Sequence, residues 1–198
     1  EKMFAHQISE RGLADAVRVT SAGTGGWHAG EPADRRASHV LREHGYPTSH
    51  SAAQIDDDHL SADLVIALGR NHVRMLKDLG VEDDRVRMLR SFDPRSGAHA
   101  LDVEDPYYGD HDDFEDVFTV IDASLPGLHQ WVDEQLSGRG IGCRGGGVRV
   151  FVFHRAGALA ARQEHQDVAG EQPNLALGDR RPGASDKAFA ATGFVGPE

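Results

Sequence analysis

Asp105 stands in the run Val103-Glu104-Asp105-Pro106-Tyr107-Tyr108-Gly109-Asp110, which puts a carboxylate, a ring-locked backbone and two phenol rings within a few residues. A carboxyl group so placed could give or take a proton, and the two rings could flank a planar aromatic ligand. Asp-Pro and Tyr-Gly are also ordinary turn punctuation, so the stretch alone reads first as a decorated turn. Two further groups could do chemistry. Asp110, Asp112, Asp113, Glu115 and Asp116 form an acidic cluster, but it lacks the spacing and central glycine of a calcium loop. It reads better as a solvated helix start favoured by the helix dipole. Cys143-Arg144-Gly145-Gly146-Gly147-Val148-Arg149 satisfies Cys-x5-Arg, a spacing that can cradle a phosphate when it follows a strand and opens a helix. Here glycines surround the cysteine and the strand-like Val148 to Phe153 follows it, so the context is wrong.

The elements that would position these groups alternate along the chain. Glu1 to Arg11 reads as a helix with Phe4 and Ile8 one turn apart and Gly12 as its stop. Val17 to Ser21 is β-branched and alternating, hence a strand, and the glycines of 21–26 form a loop leading to Trp27. Pro32 suggests a first helical turn, Val40, Leu41 and His44 share a face, and Gly45 ends that helix. Asp63 to Leu68 is a nearly unbroken apolar run, as in a strand buried on both faces. A helix over Arg70 to Leu79, a strand over Arg85 to Leu89, and a long amphipathic helix over Asp112 to Leu136 complete the pattern. Strand and helix in alternation mean a parallel sheet covered on both faces, an α/β domain, with ligands beyond the carboxyl ends of the strands. The loops after Ser21 and Leu68, the turn Ser91 to Pro94 and the Asp105 run all belong at that end.

Composition sets outer limits. The net charge of -11 over 198 residues argues against non-specific attraction to nucleic acid or anionic lipid. No apolar run approaches bilayer-crossing length, so a soluble cytoplasmic protein is expected. The single cysteine fits a reducing compartment. Residues 1–136 hold 13 Lys+Arg against 26 Asp+Glu, whereas 137–198 hold 8 against 6 and 12 of the 23 glycines. A boundary therefore falls near Ser137. Domain 1–136 precedes a Gly/Ala-rich tail, 137–198, expected to be disordered or foreign apart from a strand candidate at 148–153.

Ser21-Ala22-Gly23-Thr24, Trp27-His28-x-Gly30, Asp34-x-Arg36, His44-Gly45-Tyr46-Pro47-Thr48 with His50 and Gln54, Ser91-Phe92-Asp93-Pro94 and Glu104-Asp105-Pro106-Tyr107-Tyr108-Gly109 occur in this order on this alternation. Together they resemble the low-molecular-weight protein tyrosine phosphatases of bacterial type over residues 1 to about 136. The resemblance implies a three-layer α/β/α fold with a four-stranded parallel sheet. It implies hydrolysis of a phosphotyrosine protein or aryl phosphate through a phosphocysteine, with no cofactor and no metal. By the same likeness Asp105 is the general acid and base, and Trp27, Tyr107 and Tyr108 line the substrate cleft. Ser21 and His50 orient the phosphate loop, and Pro106 supports the acid.

The likeness also marks departures. The family's first strand and its Cys-x5-Arg loop would precede Glu1, so this chain is expected to lack the first strand, the nucleophile and the phosphate-binding arginine, and to be inactive alone. Val148 to Phe153, followed by the helix-compatible Ala156 to Glu164, has the order of that first unit and could fill the vacant place if it inserts parallel. Gly69 stands where the family commonly carries an aspartate, so a supporting carboxylate is expected to be missing. A non-catalytic remnant or a phosphotyrosine- or protein-binding module is the alternative function. An arsenate reductase would need several redox cysteines.

Overall fold

Val148–His154, sequence VRVFVFH, alternates so that Val148 and Val150 bury on one side of a sheet and Phe151 and Phe153 on the other, all at 0 or 1% exposure. A strand buried on both faces must be interior, and in the computed structural model it is. The structure describes residues 1–26, 28–97, 100–138 and 147–154. Four strands, β1 (Val17–Gly23), β2 (Leu64–Ala67), β3 (Val86–Met88) and β4 (Val148–His154), form one sheet in the order β1-β4-β2-β3. Every pairing is parallel. β4 runs in register with β1 from Val17↔Val148 to Gly23↔His154, and with β2 from Leu64↔Val150 to Ala67↔Phe153. The four-stranded parallel sheet is thus complete, and the interior place anticipated as vacant holds β4.

Among the described residues five helices flank the sheet: α1 (Lys2–Glu10), α2 (Arg35–Glu43), α3 (Asp57–Leu60), α4 (Arg70–Asp78) and α5 (His111–Gly138). One face packs Met3, Phe4 and Ile8 of α1 and Leu125, Leu128 and Val132 of α5 onto Val148, Val150, Leu64 and Ile66. The other packs Leu76 of α4, with Ala62 and Val81, onto Phe151, Phe153, Val65 and Ala67. Each fully buried large apolar side chain contributes about 1.5–3 kcal/mol, so β4 is a substantial part of both cores.

Local departures from the sequence expectations have local causes. α2 begins at Arg35 rather than near Pro32 because the Asp34 carboxylate accepts the Arg36 amide at 2.7 Å and caps the helix there. α3 escapes apolar periodicity because it is a single turn, capped by Asp56. β3 stops at Met88 because residues Leu89–Phe92 tighten into a 3-10 turn. Gly127 lets α5 press against that turn, since a Cβ there would collide with the Phe92 carbonyl. The helix-compatible stretch 156–164 and the rest of the tail lie outside the described residues.

Candidate active site at the carboxyl ends of the strands

Three loops meet where β1, β4 and β2 end. The first is pinned by backbone bonds from Gly23 to Ala53 (3.0 Å) and from Ile55 to Gly23 (2.9 Å), which carry His50 to the end of β1. Ser21, near the end of β1, donates from Oγ to Glu1 Oε2 at 2.5 Å. His50 Nδ1 lies 3.2 Å from the same oxygen. Ser21 and His50 therefore converge on one anion, as the resemblance implies for a phosphate loop, but the group they hold is the Glu1 carboxylate at the start of α1. Burial alone would raise the Glu1 carboxyl. The hydrogen bonds from His50 and Ser21, with neighbouring positive charge, outweigh it and lower the group to about 2. Glu1, Ser21, Asp34, His50, Phe114 and His154 are among the residues lining a largely apolar cleft of about 330 Å³ at this end of the sheet.

The second loop carries Asp105. Val103 donates its amide to the Leu68 carbonyl at 2.8 Å, tying the loop to the end of β2. The Gly109 amide closes a turn onto the Pro106 carbonyl at 2.8 Å. At its far end the Asp110 carboxylate accepts from the Asp112 amide at 3.0 Å, while the Asp113 carboxylate accepts from the Asp110 amide at 2.8 Å. This reciprocal cap explains two of the clustered acids as a helix start. Between these anchors Asp105 is exposed, Tyr107 is half-buried and Tyr108 is 86% exposed. The two rings meet edge to face at 4.6 Å. Asp105, Tyr107 and Tyr108 are not among the described residues lining the 330 Å³ cleft, so Ser21 and His50 form one group and the acid loop another.

Arg36 couples them. Its Nη1 donates to the carbonyls of Tyr107 (3.2 Å) and Gly109 (2.9 Å), its Nη2 pairs with Asp34 at 2.9 Å, and its guanidinium lies 4.6 Å from the Phe114 ring centre. The Asp34 hydrogen bond raises the Arg36 pKa, and the nearby Asp105 and Tyr107 add to it. Burial would raise the Asp34 carboxyl, but the fork from Arg36 and the backbone amides hold it below the usual range. The sequence marks Asp34-x-Arg36 only as a helix opening. No local signal shows that Arg36 clamps a loop 71 to 73 residues away.

The third loop revises the reading of Gly69. Asp102 Oδ1 sits 3.1 Å from where a Cβ on Gly69 would stand, accepts the Arg70 amide at 2.7 Å and so caps α4; its other oxygen pairs with Arg70 Nη1 at 2.9 Å. A carboxylate is therefore present at that helix start, supplied from 32 residues away. Arg149 is held at the opposite end of the sheet. Its amide donates to Asp63 at 2.8 Å, and its guanidinium reaches Asp58 and Ser61. Trp27 and Cys143 lie outside the described residues. Among those described, no helix is long and apolar enough to cross a membrane.

The parallel α/β/α sheet with the Asp105 loop beyond its strand ends is the architecture that the sequence resemblance implies. The model of the family "Low molecular weight phosphotyrosine protein phosphatase" matches residues 1–138, and the chain belongs to that family. It is 71% identical over 140 residues to low molecular weight protein-tyrosine phosphatase A of Mycobacterium tuberculosis, covering 71% of this chain and 86% of that one. A Streptomyces coelicolor low molecular weight protein-tyrosine-phosphatase is 45% identical over 143 residues, covering 70% and 87%. Among solved structures, YfkJ from Bacillus subtilis superposes with a TM-score of 0.61 at 27% identity, covering 68% of this chain and 85% of that one.

Proposed function

We propose that this chain is a protein tyrosine phosphatase unit that supplies the proton donor and the aromatic walls of the site. The observation that carries the reading is the Asp105 loop, anchored at Leu68, Arg36 and the α5 cap with its carboxylate and Tyr108 exposed and Tyr107 half-buried. In the reaction a thiolate attacks phosphorus and the P–O bond to the tyrosyl oxygen breaks. Asp105 gives its proton to that leaving oxygen. The same carboxylate then takes a proton from the water that cleaves the S–P bond, releasing inorganic phosphate. Such proton transfer contributes about 10²- to 10⁴-fold. Trp27, Tyr107 and Tyr108 flank the substrate ring, Pro106 stiffens the acid's turn, and Ser21 and His50 orient the phosphate-binding segment. The folding unit comprises residues 1–136 with β4, in a soluble cytoplasmic protein whose substrate is a phosphotyrosine protein or aryl phosphate. No metal or cofactor takes part.

The only cysteine in these 198 residues is Cys143, and Arg149, its partner in spacing, is tied to Asp58, Ser61 and Asp63 at the far end of the sheet. The polypeptide of these 198 residues is accordingly proposed to be inactive by itself, with Cys143 not acting as the nucleophile. Hydrolysis of p-nitrophenyl phosphate tests this: the 198-residue chain and its Cys143→Ser variant should give the same background rate. Thiol-dependent turnover lost in Cys143→Ser would overturn the reading.

A further inference from the structure

His39 and Glu43 stand one turn apart on α2, and His111 opens α5 beside them. His39 Nε2 is 3.5 Å from Glu43 Oε1, and His111 Nε2 is 3.5 Å from Glu43 Oε2. Both imidazoles thus aim a nitrogen at one carboxylate without closing to hydrogen-bond distance, whereas His44 closes to 2.8 Å on Glu115 in the same patch. One ligand atom each from His39, Glu43 and His111 lie within 4.8 Å of one another. The imidazole rings of His39 and His111 are 5.5 Å apart.

We propose that His39, Glu43 and His111 form a site for a borderline-soft divalent metal of the zinc class, fastening α2 to the start of α5. With Zn–N and Zn–O bonds of about 2.0–2.1 Å, neighbouring ligand atoms of a tetrahedral ion lie about 3.3–3.4 Å apart. The two imidazole nitrogens already stand 3.5 Å from Glu43, each on a different carboxylate oxygen. Bringing both around one oxygen takes rotation of two imidazoles whose side chains are 57% and 47% exposed. Two imidazoles with one carboxylate select zinc and its neighbours over calcium or magnesium, which take oxygen. Glu115 Oε1 lies 3.8 Å from His111 Nε2, beside the three-residue group and not within it. Its other oxygen is held by His44, whose ring stacks on Phe118 at 3.9 Å between centres.

The position gives the site a consequence. His111 directly follows the Asp105 loop, and α2 already grips that loop through Arg36. An ion joining α2 to the first residue of α5 would therefore fix two of the loop's three attachments at once.

Isothermal titration of the 198-residue chain with zinc chloride, against His39→Ala, His111→Ala and the double variant, tests the proposal. All three ligands are exposed, and circular dichroism checks that the variants fold. Zinc should bind at one site, each single variant should weaken it at least about tenfold, and magnesium should not compete. Saturating zinc should raise Tm by about 5–10 °C in the parent and not in the double variant. Zinc affinity unchanged in the double variant would place the ion on other histidines and overturn the proposal. So would equal competition by magnesium, or the absence of binding by the parent chain.

Discussion

Arg36 on α2 donates to the Gly109 carbonyl at 2.9 Å across 73 residues of sequence, while its other nitrogens grip Asp34. One planar fork thus joins the helix, the pocket-lining Asp34 and the loop that presents Asp105. Arg36→Lys keeps the charge but cannot reproduce the fork. It should cost about 1–3 kcal/mol in denaturant unfolding, with faster amide exchange confined to residues 103–110. Uniform exchange across the chain would show that the clamp is not specific to the loop.

β4 is the second relationship open to direct test. Phe151 and Phe153 are fully buried on the α4 side, where they meet His59 and His72 respectively. Phe151→Ala should destabilise the fold by about 3–5 kcal/mol, a large part of a typical 5–15 kcal/mol. Arg149→Ala, whose half-buried side chain pairs with Asp58 at the sheet's other end, should cost under about 1 kcal/mol. Urea midpoints for the two variants separate these outcomes. Equal midpoints would mean that β4 does not fill the interior of the sheet in solution.

Much of this frame was legible in the residues. Leu64–Ala67 reads as a doubly buried strand because every side chain is apolar, and α5 because its apolar stripe persists for many turns. Asp105 and the two tyrosines are recognisable from their company. The Glu1 cage, the Arg36 clamp and the Asp102 cap were not, because each joins groups 20 or more residues apart and leaves no periodic trace. The place of β4 was legible only as strand order and alternation; its parallel register depends on Val148 donating to Ala16 at 2.8 Å and on Gly147 allowing that approach.

The Glu1 carboxyl supplies a pH test. Its folded pKa of about 2 lies below the ordinary 4.5, so the folded state prefers the ionised form. The associated stability is fully present above pH 4.5 and is lost as pH falls through 2. Ser21→Ala or Glu1→Gln should flatten the acid limb of the stability curve between those values, leaving the neutral region nearly parallel to the parent. An unchanged acid limb in Glu1→Gln would mean that the Ser21 and His50 contacts do not hold the carboxylate.

The central claim concerns Asp105, and its most direct measurement is kcat with and without that carboxyl in residues 1–138 carrying a strand and a Cys-x5-Arg-Ser loop ahead of Glu1 in place of β4. Asp105→Asn should lower kcat for phosphotyrosine about 10²- to 10⁴-fold and lower it less for p-nitrophenyl phosphate, whose leaving group needs no proton. An unchanged kcat for phosphotyrosine, or an equal loss with both substrates, would contradict the assignment of Asp105 as the proton donor.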